Sequence, residues 1–326
     1  MIHFLVTADH HYTLSKFFEH WGAKLRPQIR IVHYESRPWR RIAPAGTWVF
    51  TDLERLTPDE LAEARDFFQR LSADRSRWRL LNNPGAVLRR HDLLNLLAER
   101  GVNGFRAYRV NALPDSLRFP VFLRGENDHR GSLSPLLQDR AALEHSLGQL
   151  RGGRDNKHLV VVEYCPYARE DGLFVKYSAM RIGPALIPRH MLFSRNWEVK
   201  YPDLVGPACL AEEEDYLARM PHGSELLELF DLAGIDYGRI DYTLVQDRIQ
   251  VFEINTNPNL VPPVSKLDPC RWPGQARSAA LVLQAIDSLN AGLPEPDAEE
   301  ARATQRADRL QAFLYPLRRR FCQRRP

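Results

Sequence analysis

Two carboxylates and a carboxamide lie close together within residues 238–259, which read GRIDYTLVQDRIQVFEINTNPN. Asp241, Glu253 and Asn255 offer only oxygen ligands, the set that a hard divalent cation such as Mg²⁺ prefers. Because Mg²⁺ in proteins is commonly held by one or two carboxylates together with substrate phosphates, a nucleotide is the expected companion. The alternative is structural, with Arg239 simply neutralising one of the two carboxylates.

The strands that carry these side chains decide whether they can meet. We predict two antiparallel strands on either side of an odd, three-residue turn centred on Asp247. This register pairs Asp241 with Glu253 and Arg239 with Asn255, so that all four side chains share one face. The opposite, apolar face is predicted to pack on the core through Ile240, Tyr242, Leu244, Phe252 and Ile254.

In this stretch the sequence resembles the ATP-grasp superfamily, whose members share an acidic residue on one strand and E-x-N on the next. The spacing D-x(11)-E-x-N carries the match, and the motif layout is nearest to ligases of the D-alanine–D-alanine ligase and glutathione synthetase type. The resemblance implies that Asp241, Glu253 and Asn255 hold one or two Mg²⁺ ions, with Mn²⁺ as a substitute, against the phosphates of ATP. Asn257 precedes Pro258 and is interpreted as a turn former at the acceptor mouth, not as a metal ligand.

The segment FPVFLRGENDHRGS resembles the strand of this family that ends in a phosphate-binding lysine and continues into a lid loop. Arg124 stands at the lysine position, Gly131 gives the loop freedom to approach phosphate, and Ser132 adds a hydroxyl. Arg90 lies near the place of a second lysine, with Arg89 as the alternative. Both arginines keep the positive charge and present a planar fork to phosphate oxygens. Further phosphate and lid candidates are Lys176, Lys200, His129 and Arg130.

The segment VVVEYCPYARED resembles the hinge that holds adenine between the two halves of an ATP-grasp body. The resemblance implies that Glu163, Tyr164 and Cys165 bind the base, mainly through main-chain groups. Glu170, seven residues after Glu163, is implied to bind the ribose hydroxyls. The structural alternatives are an edge-strand carboxylate for Glu163 and a small buried hydrophobic residue for Cys165.

Around these motifs, strand and helix patterns predict an α/β (α+β) protein. We predict an open α/β domain over residues 1–84 and a first ATP-grasp subdomain with the phosphate loop over 85–165. A second subdomain with the metal hairpin follows over 166–291. Residues 292–326 are predicted to form a helical basic tail that folds back on the body or contacts an anionic membrane or a partner. Helices are predicted after a capping box at Thr57, over 87–101, 139–150 and 275–289, and over 224–232 with Ser224 as the cap.

Composition narrows the function class. The 326 residues are 44% hydrophobic and carry a formal charge of only +4, which argues against a nucleic-acid-coating protein. The four cysteines are far apart, so neither a zinc knuckle nor a disulfide framework is indicated. With no signal peptide or transmembrane segment in the sequence, we expect a cytoplasmic protein.

The resemblance implies an ATP- and Mg²⁺-dependent ligase that activates a small carboxylate as an acylphosphate and joins it to an amine. Arg239 and Arg124 are the implied catalytic residues, with Arg239 steadying the acylphosphate or the tetrahedral intermediate. The expected partners are small acids and amines, including amino acids, and a homodimer is left open. The alternatives are a phosphotransferase acting on a hydroxyl or sugar, and a non-catalytic nucleotide-binding protein. A cationic cluster suits an acidic acceptor and comprises Arg181, Arg189, His190 and Arg195.

Overall fold

The computed structural model describes the whole chain except residues 37, 41–42, 128–130, 152–157 and 323–326, and, among side chains, also 38, 151, 310 and 313–322. The first sheet is parallel and consists of β1 (Ile2–Val6), β2 (Ile29–His33), β3 (Gly46–Phe50) and β4 (Trp78–Leu81), in the order β2-β1-β3-β4. β1 and β3 are buried along their whole length, as expected of parallel strands covered on both faces.

The first sheet is accompanied by the helices α1 (Tyr12–His20) and α2 (Pro58–Ser72). The capping box predicted for α2 is present: the Thr57 hydroxyl accepts from the Glu60 N–H, and the Glu60 carboxylate accepts from the Thr57 N–H. This reciprocal pair satisfies two main-chain donors at the helix start and explains why the helix begins there.

The second sheet is antiparallel, with β5 (Ala107–Arg109), β6 (Val121–Gly125) and β7 (Leu159–Glu163) in the order β5-β7-β6. Helix α3 (Arg90–Glu99) precedes β5, and helix α4 (Arg140–Arg151) lies between β6 and β7. α3 ends near Gly101, whose φ of +71° favours glycine and agrees with its predicted role as a helix stop.

The third sheet is antiparallel and carries the hairpin predicted from the sequence. It consists of β8 (Phe174–Ile182), β9 (Ala185–Ser194), β10 (Tyr237–Val245) and β11 (Arg248–Asn255), in the order β11-β10-β8-β9. The remaining helices are α5 (Pro207–Arg219), α6 (Gly223–Ala233), α7 (Trp272–Asp287) and α8 (Ala298–Cys322). The predicted α/β (α+β) class is therefore confirmed.

Two details of the helices differ from prediction. α5 was not predicted at all. α6 begins at Gly223, and its N-cap residue His222 makes no side-chain capping bond, so the assignment of Ser224 as the cap was wrong. The chain enters the helix one residue earlier, which leaves Ser224 inside the first turn. Gly234 ends α6 in the left-handed conformation, as predicted.

One hydrophobic cluster joins the first and third sheets through α1 and α7, with Phe4, Tyr237 and Val282 among its fully buried members. Beside it, the buried Asn82 side chain donates to the carbonyls of Phe50 and Tyr237 at 2.9 and 2.7 Å. Its carbonyl oxygen accepts from the N–H groups of Asp236 and Tyr237 at 2.8 and 2.9 Å. One amide thus ties the end of β3 to the start of β10.

The tail helix α8 contacts β2, the strand at one edge of the first sheet, through side-chain hydrogen bonds and an ion pair. The Gln311 side chain accepts from the His33 N–H at 2.9 Å and donates to the Ile31 carbonyl at 3.0 Å. Arg30 of β2 pairs with Asp308 at 2.7 Å. None of the helices in the described part of the chain combines the length and apolar character needed to cross a bilayer.

Candidate functional site

A cavity of about 720 Å³ is lined by residues from the second and third sheets and from α1. Its size lies within the range of roughly 300–1,000 Å³ that is usual for small-molecule sites. Nearly all of the residues predicted for the site line this one cavity: Arg90, Arg124, Gly131, Ser132, Glu163, Tyr164, Cys165, Lys176, Lys200, Arg239, Asp241, Glu253 and Asn255.

The hairpin of β10 and β11 carries the acidic face. Asp241 pairs with Glu253 and Arg239 with Asn255, as predicted. The turn differs from the prediction: it contains two residues, Gln246 and Asp247, both with positive φ, the arrangement whose twist matches that of a hairpin.

A bulge in β11 compensates for the shorter turn. The register shifts between Asp241 and Tyr242, so that Phe252 is the additional residue. The expectation that Phe252 packs on the core side with Ile254 was wrong, because the bulge turns Phe252 to the cavity, where it lies 5.2 Å from the Tyr167 ring.

Asp241 is 3% exposed and surrounded by donors. Arg239 Nε lies 2.9 Å from its carboxylate, Lys176 Nζ lies 3.4 Å away, and the Ser178 hydroxyl donates at 2.7 Å. Burial favours a higher pKa for Asp241, but Arg239 and Lys176 outweigh burial and hold the pKa below its usual value. The carboxylate is therefore anionic at neutral pH.

Glu253 lies between two arginines that come from different elements. Arg124 at the end of β6 lies 2.7 Å from its carboxylate, and Arg90 at the start of α3 pairs with the same oxygen. Arg90 also donates to the carbonyls of Gly125 and Glu126 at 2.6 and 3.1 Å. Burial and the neighbouring Arg124 lower the pKa of Arg90, and Glu253 opposes them. The two predicted phosphate-binding arginines thus lie together beside the acidic hairpin.

The hinge residues lie at the end of β7. The Glu163 carboxylate accepts from the main-chain N–H groups of Arg106 and Arg118 at 3.0 and 3.3 Å and pairs with the Arg118 guanidinium, so this side chain is held structurally. Burial would raise the pKa of Glu163, but Arg118 and these N–H groups lower it. Burial raises the pKa of the Cys165 thiol to about 11. The Cys165 thiol is therefore neutral at pH 7, and the residue forms part of the cavity wall.

The loop after β6 contacts the segment between β9 and α5. The Ser132 N–H and hydroxyl donate to the Glu198 carboxylate at 2.6 and 2.7 Å. Gly131 has a φ of +101°, which favours glycine, and a Cβ on it would lie 2.3 Å from the Glu198 carboxylate and displace it. His129 and Arg130, predicted for the lid, lie outside the described residues.

Three predicted residues do not reach the cavity. Glu170 lies on an exposed turn, which the Arg169 N–H closes onto the Leu173 carbonyl, and it does not line the cavity. Arg181 pairs with Asp231 at 2.6 Å, away from the cavity. Arg195 is exposed. The predicted cationic cluster is thus reduced to Arg189 and His190, which do line the cavity.

Asn257 connects the third sheet to α1. Its side-chain oxygen accepts from the Thr13 hydroxyl at 2.7 Å, and its N–H₂ group donates to the His10 carbonyl at 3.3 Å. Its main-chain N–H donates to the Asn255 side chain at 2.8 Å. These bonds hold the bend after β11 against α1, which agrees with a turn-forming role at the cavity mouth.

No family model and no curated protein matches the sequence. Among solved structures, D-alanine–D-alanine ligase from Bacillus anthracis complexed with ATP superposes with a TM-score of 0.51, covering 89% of this chain and 96% of that one at 14% identity. The chain has the ATP-grasp fold.

Two further structures are similar at lower scores. Another structure of the Bacillus anthracis ligase superposes with a TM-score of 0.49 at 13% identity, covering 88% of this chain and 95% of that one. D-cycloserine synthetase superposes with a TM-score of 0.48 at 16% identity, covering 87% and 98%. At this level of identity the similarity establishes the fold alone, and the activity has to be argued from the site.

The oxygen donors of this site are suitable for Mg²⁺. Asp241 and Glu253 are paired across the ladder, and Asn255 adds an amide oxygen on the same strand as Glu253. Among the described residues, no group of three or more His, Cys, Asp or Glu side chains could hold a metal ion alone. Two carboxylates leave most positions of an octahedral ion to phosphate oxygens and water, which is the usual situation for Mg²⁺ with a nucleotide.

Sequence reasoning missed the aromatic lining of the cavity. Trp197, in the segment after β9, lies 5.0 Å from the Phe122 ring and 5.9 Å from the Tyr164 ring. All three residues line the cavity beside the hinge, together with Phe252. The motif NWEVKY, with its isolated aromatic and charged residues in a polar stretch, was the available signal for this segment.

Proposed function

We propose that this protein is an ATP- and Mg²⁺-dependent ligase that activates a small carboxylate as an acylphosphate and joins it to an amine. The observation that carries the proposal is the pairing of Asp241 with Glu253 in a cavity that also contains Arg124, Lys176 and Arg239. Two facing carboxylates beside several cations suit phosphoryl transfer from ATP, because metal ions and cationic side chains together neutralise the charge on the transferring group.

In this proposal ATP lies between the second and third sheets. The adenine occupies the aromatic wall formed by Tyr164, Trp197 and Phe252, with main-chain groups of the hinge as hydrogen-bond partners. The phosphates lie against Arg124 and Lys176, with the loop at Gly131 beside them. Glu198, which accepts from Ser132, replaces Glu170 as the carboxylate at the ribose end.

Asp241, Glu253 and Asn255 would hold the Mg²⁺, which when bound neutralises charge on the phosphates. The reacting carboxylate of the substrate attacks the γ-phosphorus of ATP, and ADP leaves. The amine then attacks the acyl carbon, loses a proton, and phosphate leaves as the amide bond forms. Arg239 lies beside Asp241 on the acceptor side, where its guanidinium stabilises the negative charge of the acylphosphate and of the tetrahedral intermediate.

This chemistry needs no nucleophile from the protein, only positioning and charge stabilisation. The thiol of Cys165 is kept neutral by a pKa of about 11, and is therefore a poor nucleophile at neutral pH. His190 is also neutral there, because burial and the nearby Arg239 and Arg189 lower its pKa well below the usual value.

The test is release of ADP and phosphate when the protein receives ATP, Mg²⁺ and pairs of small acids and amines, including amino acids. We expect Glu253→Gln to lower kcat at least 100-fold, since it removes a charge that acts on the transferring phosphoryl group. The matched control is Glu126→Gln, because Glu126 is also buried and paired with an arginine, Arg109 at 2.7 Å, but does not line this cavity.

The products discriminate between the alternatives. AMP and pyrophosphate as products would exclude the acylphosphate route. A stable phosphorylated acceptor that forms without any amine would identify a phosphotransferase. No turnover with any pair, together with tight ATP binding, would identify a non-catalytic nucleotide-binding protein. Equal activity of Glu253→Gln and Glu126→Gln would contradict the role assigned to the hairpin.

A further inference from the structure

Arg189 differs from the other arginines that line the cavity. Six arginines do so in the described part of the chain, and five of them have a carboxylate oxygen within 4.0 Å: Arg55, Arg90, Arg124, Arg239 and Arg271. Among the described residues Arg189 has no such carboxylate. Its guanidinium donates only to neutral groups of α7, the Ser278 hydroxyl at 2.5 Å and the Gln275 side-chain oxygen at 3.4 Å.

The environment of Arg189 is unfavourable for an isolated cation. The residue is 1% exposed, and its Nε has no hydrogen-bond acceptor among the described residues. The carboxylate of Glu213 is taken up by Arg271, at 2.6 Å. Burial, followed by the repulsion of Arg239, lowers the pKa of Arg189 to about 9. The guanidinium is still charged at neutral pH, and burying a charge without a counter-charge destabilises the fold.

The backbone directs Arg189 into the cavity. The pairing of β8 with β9 shifts between Ser178 and Ala179, which face His190 and Pro188, so Arg189 is the additional residue of a bulge. In a regular strand two consecutive side chains lie on opposite faces, whereas Arg189 and His190 both line the cavity. Bulges are over-represented next to active sites, where they re-aim a side chain, and this one places a buried cation at the cavity.

The position of Arg189 relative to the acidic hairpin defines what it can bind. Glu253, Asp241, Ser178 and His190 form one row across four adjacent strands. Since neighbouring strands are about 4.8 Å apart, the backbone at His190 lies roughly 10 Å from that at Asp241. Arg189 therefore lies at the far side of the acceptor region from the phosphate-binding arginines, within the reach of a small molecule that also contacts Arg239.

We infer that Arg189 binds a carboxylate of the substrate that does not react. The substrate class is then an acid with a second anionic group or an amine that carries a carboxylate, such as a dicarboxylic acid or an amino acid. The carboxylate supplies the missing counter-charge and accepts from the planar fork of the guanidinium. That the bound molecule is a substrate rests on the proposed ligase function. That Arg189 binds a carboxylate does not depend on that function.

The test measures the affinity of the full-length protein for matched acids and amides by titration calorimetry. Suitable pairs are aspartate and asparagine, glutamate and glutamine, alanine and alaninamide in both enantiomers, and succinate and succinamate. We expect at least one acid to bind tenfold or more tightly than its amide. Arg189→Met should remove this preference, while Arg181→Met, which removes an ion-paired arginine outside the cavity, should keep it.

Two further measurements keep the result interpretable if Arg189→Met folds poorly. Arg189→Lys keeps the charge without the fork and should weaken the acid severalfold while leaving the amide unchanged. A crystal of the wild-type protein with the preferred acid should show its carboxylate within hydrogen-bond distance of the Arg189 guanidinium. The inference is overturned if no acid is preferred, if the preference survives in Arg189→Met, or if the acid binds elsewhere. Failure of the ligase proposal appears differently, as no ADP release with any pair while the preference for the acid remains.

Discussion

Asp52, the second residue after β3, is a buried carboxylate whose replacement should change how stability depends on pH. It is 1% exposed and adopts the left-handed conformation, with φ of 53°. Its carboxylate accepts from the Thr7 N–H at 3.0 Å and from the Thr7 hydroxyl at 2.6 Å, and Arg55 lies 3.3 Å away. These contacts compensate only in part for the hydration that the Asp52 carboxylate loses on burial.

Burial, reinforced by the nearby Glu54, raises the pKa of Asp52 from 3.8 to about 6. Since the folded state then favours the protonated form, the stabilisation is fully present below pH 3.8 and is lost as the pH rises through 6. A difference of about two pH units corresponds to ~3 kcal/mol over the whole range. About half of this change falls between pH 5 and pH 8, because protonation of the unfolded state is already small at pH 5.

Asp52→Asn retains the size, an acceptor oxygen and the tolerance for positive φ, but removes the titration. Measured by urea unfolding, the free energy of unfolding of the variant relative to wild type should increase by roughly 1–2 kcal/mol between pH 5 and pH 8. Asp66→Asn, which changes an exposed carboxylate of α2, is the control and should give a constant difference. The reasoning would be refuted if the free energy of unfolding of Asp52→Asn minus that of wild type were independent of pH, or if it fell between pH 5 and pH 8.

Two further substitutions test single contacts. Asn82→Ala removes the four hydrogen bonds by which this side chain ties the end of β3 to the start of β10, and should lower the free energy of unfolding by about 3 kcal/mol. Asn83→Ala, at an exposed position, should lower it far less. Similar urea midpoints for the two variants would contradict this expectation. Gly131→Ala places a Cβ 2.3 Å from the Glu198 carboxylate and should raise the KM for ATP several-fold. Gly148→Ala is the control and should leave the KM for ATP unchanged, because its Cβ meets nothing within 4 Å. A normal KM in Gly131→Ala would exclude a role for the contact between Gly131 and Glu198 in ATP binding.

The hairpin shows both the reach and the limit of prediction from the sequence. Alternation of apolar and polar residues indicated correctly that Asp241 faces Glu253. The turn was expected to be one residue longer, and the bulge at Phe252 was not expected. The shorter turn and the bulge compensate for each other, so Asp241 still pairs with Glu253, but Phe252 faces the cavity instead of the core. A bulge leaves no periodic signal in a sequence, because it is stabilised by contacts with distant segments.

The same limit applies elsewhere in the site. The spacing between Glu163 and Glu170 matched the family, yet the direction of the chain after the hinge depends on a turn closed by Leu173. The contact of Asn257 with Thr13 joins residues 244 positions apart, beyond the reach of any local pattern. The cap Thr57 and the helix stop Gly234 were predicted correctly, because their physical cause is local, whereas the cap assigned to Ser224 was wrong.

The contact of α8 with β2 has a consequence for self-association. An edge strand exposes N–H and C=O groups that can pair with a strand of another molecule. On β2 two of these groups are already bound by the Gln311 side chain, which replaces the hydrogen bonds that a foreign strand would make. Growth of the parallel sheet from one molecule into the next is therefore blocked at this edge while α8 is in place. Any pairing of two copies along β2 would first have to displace the tail helix.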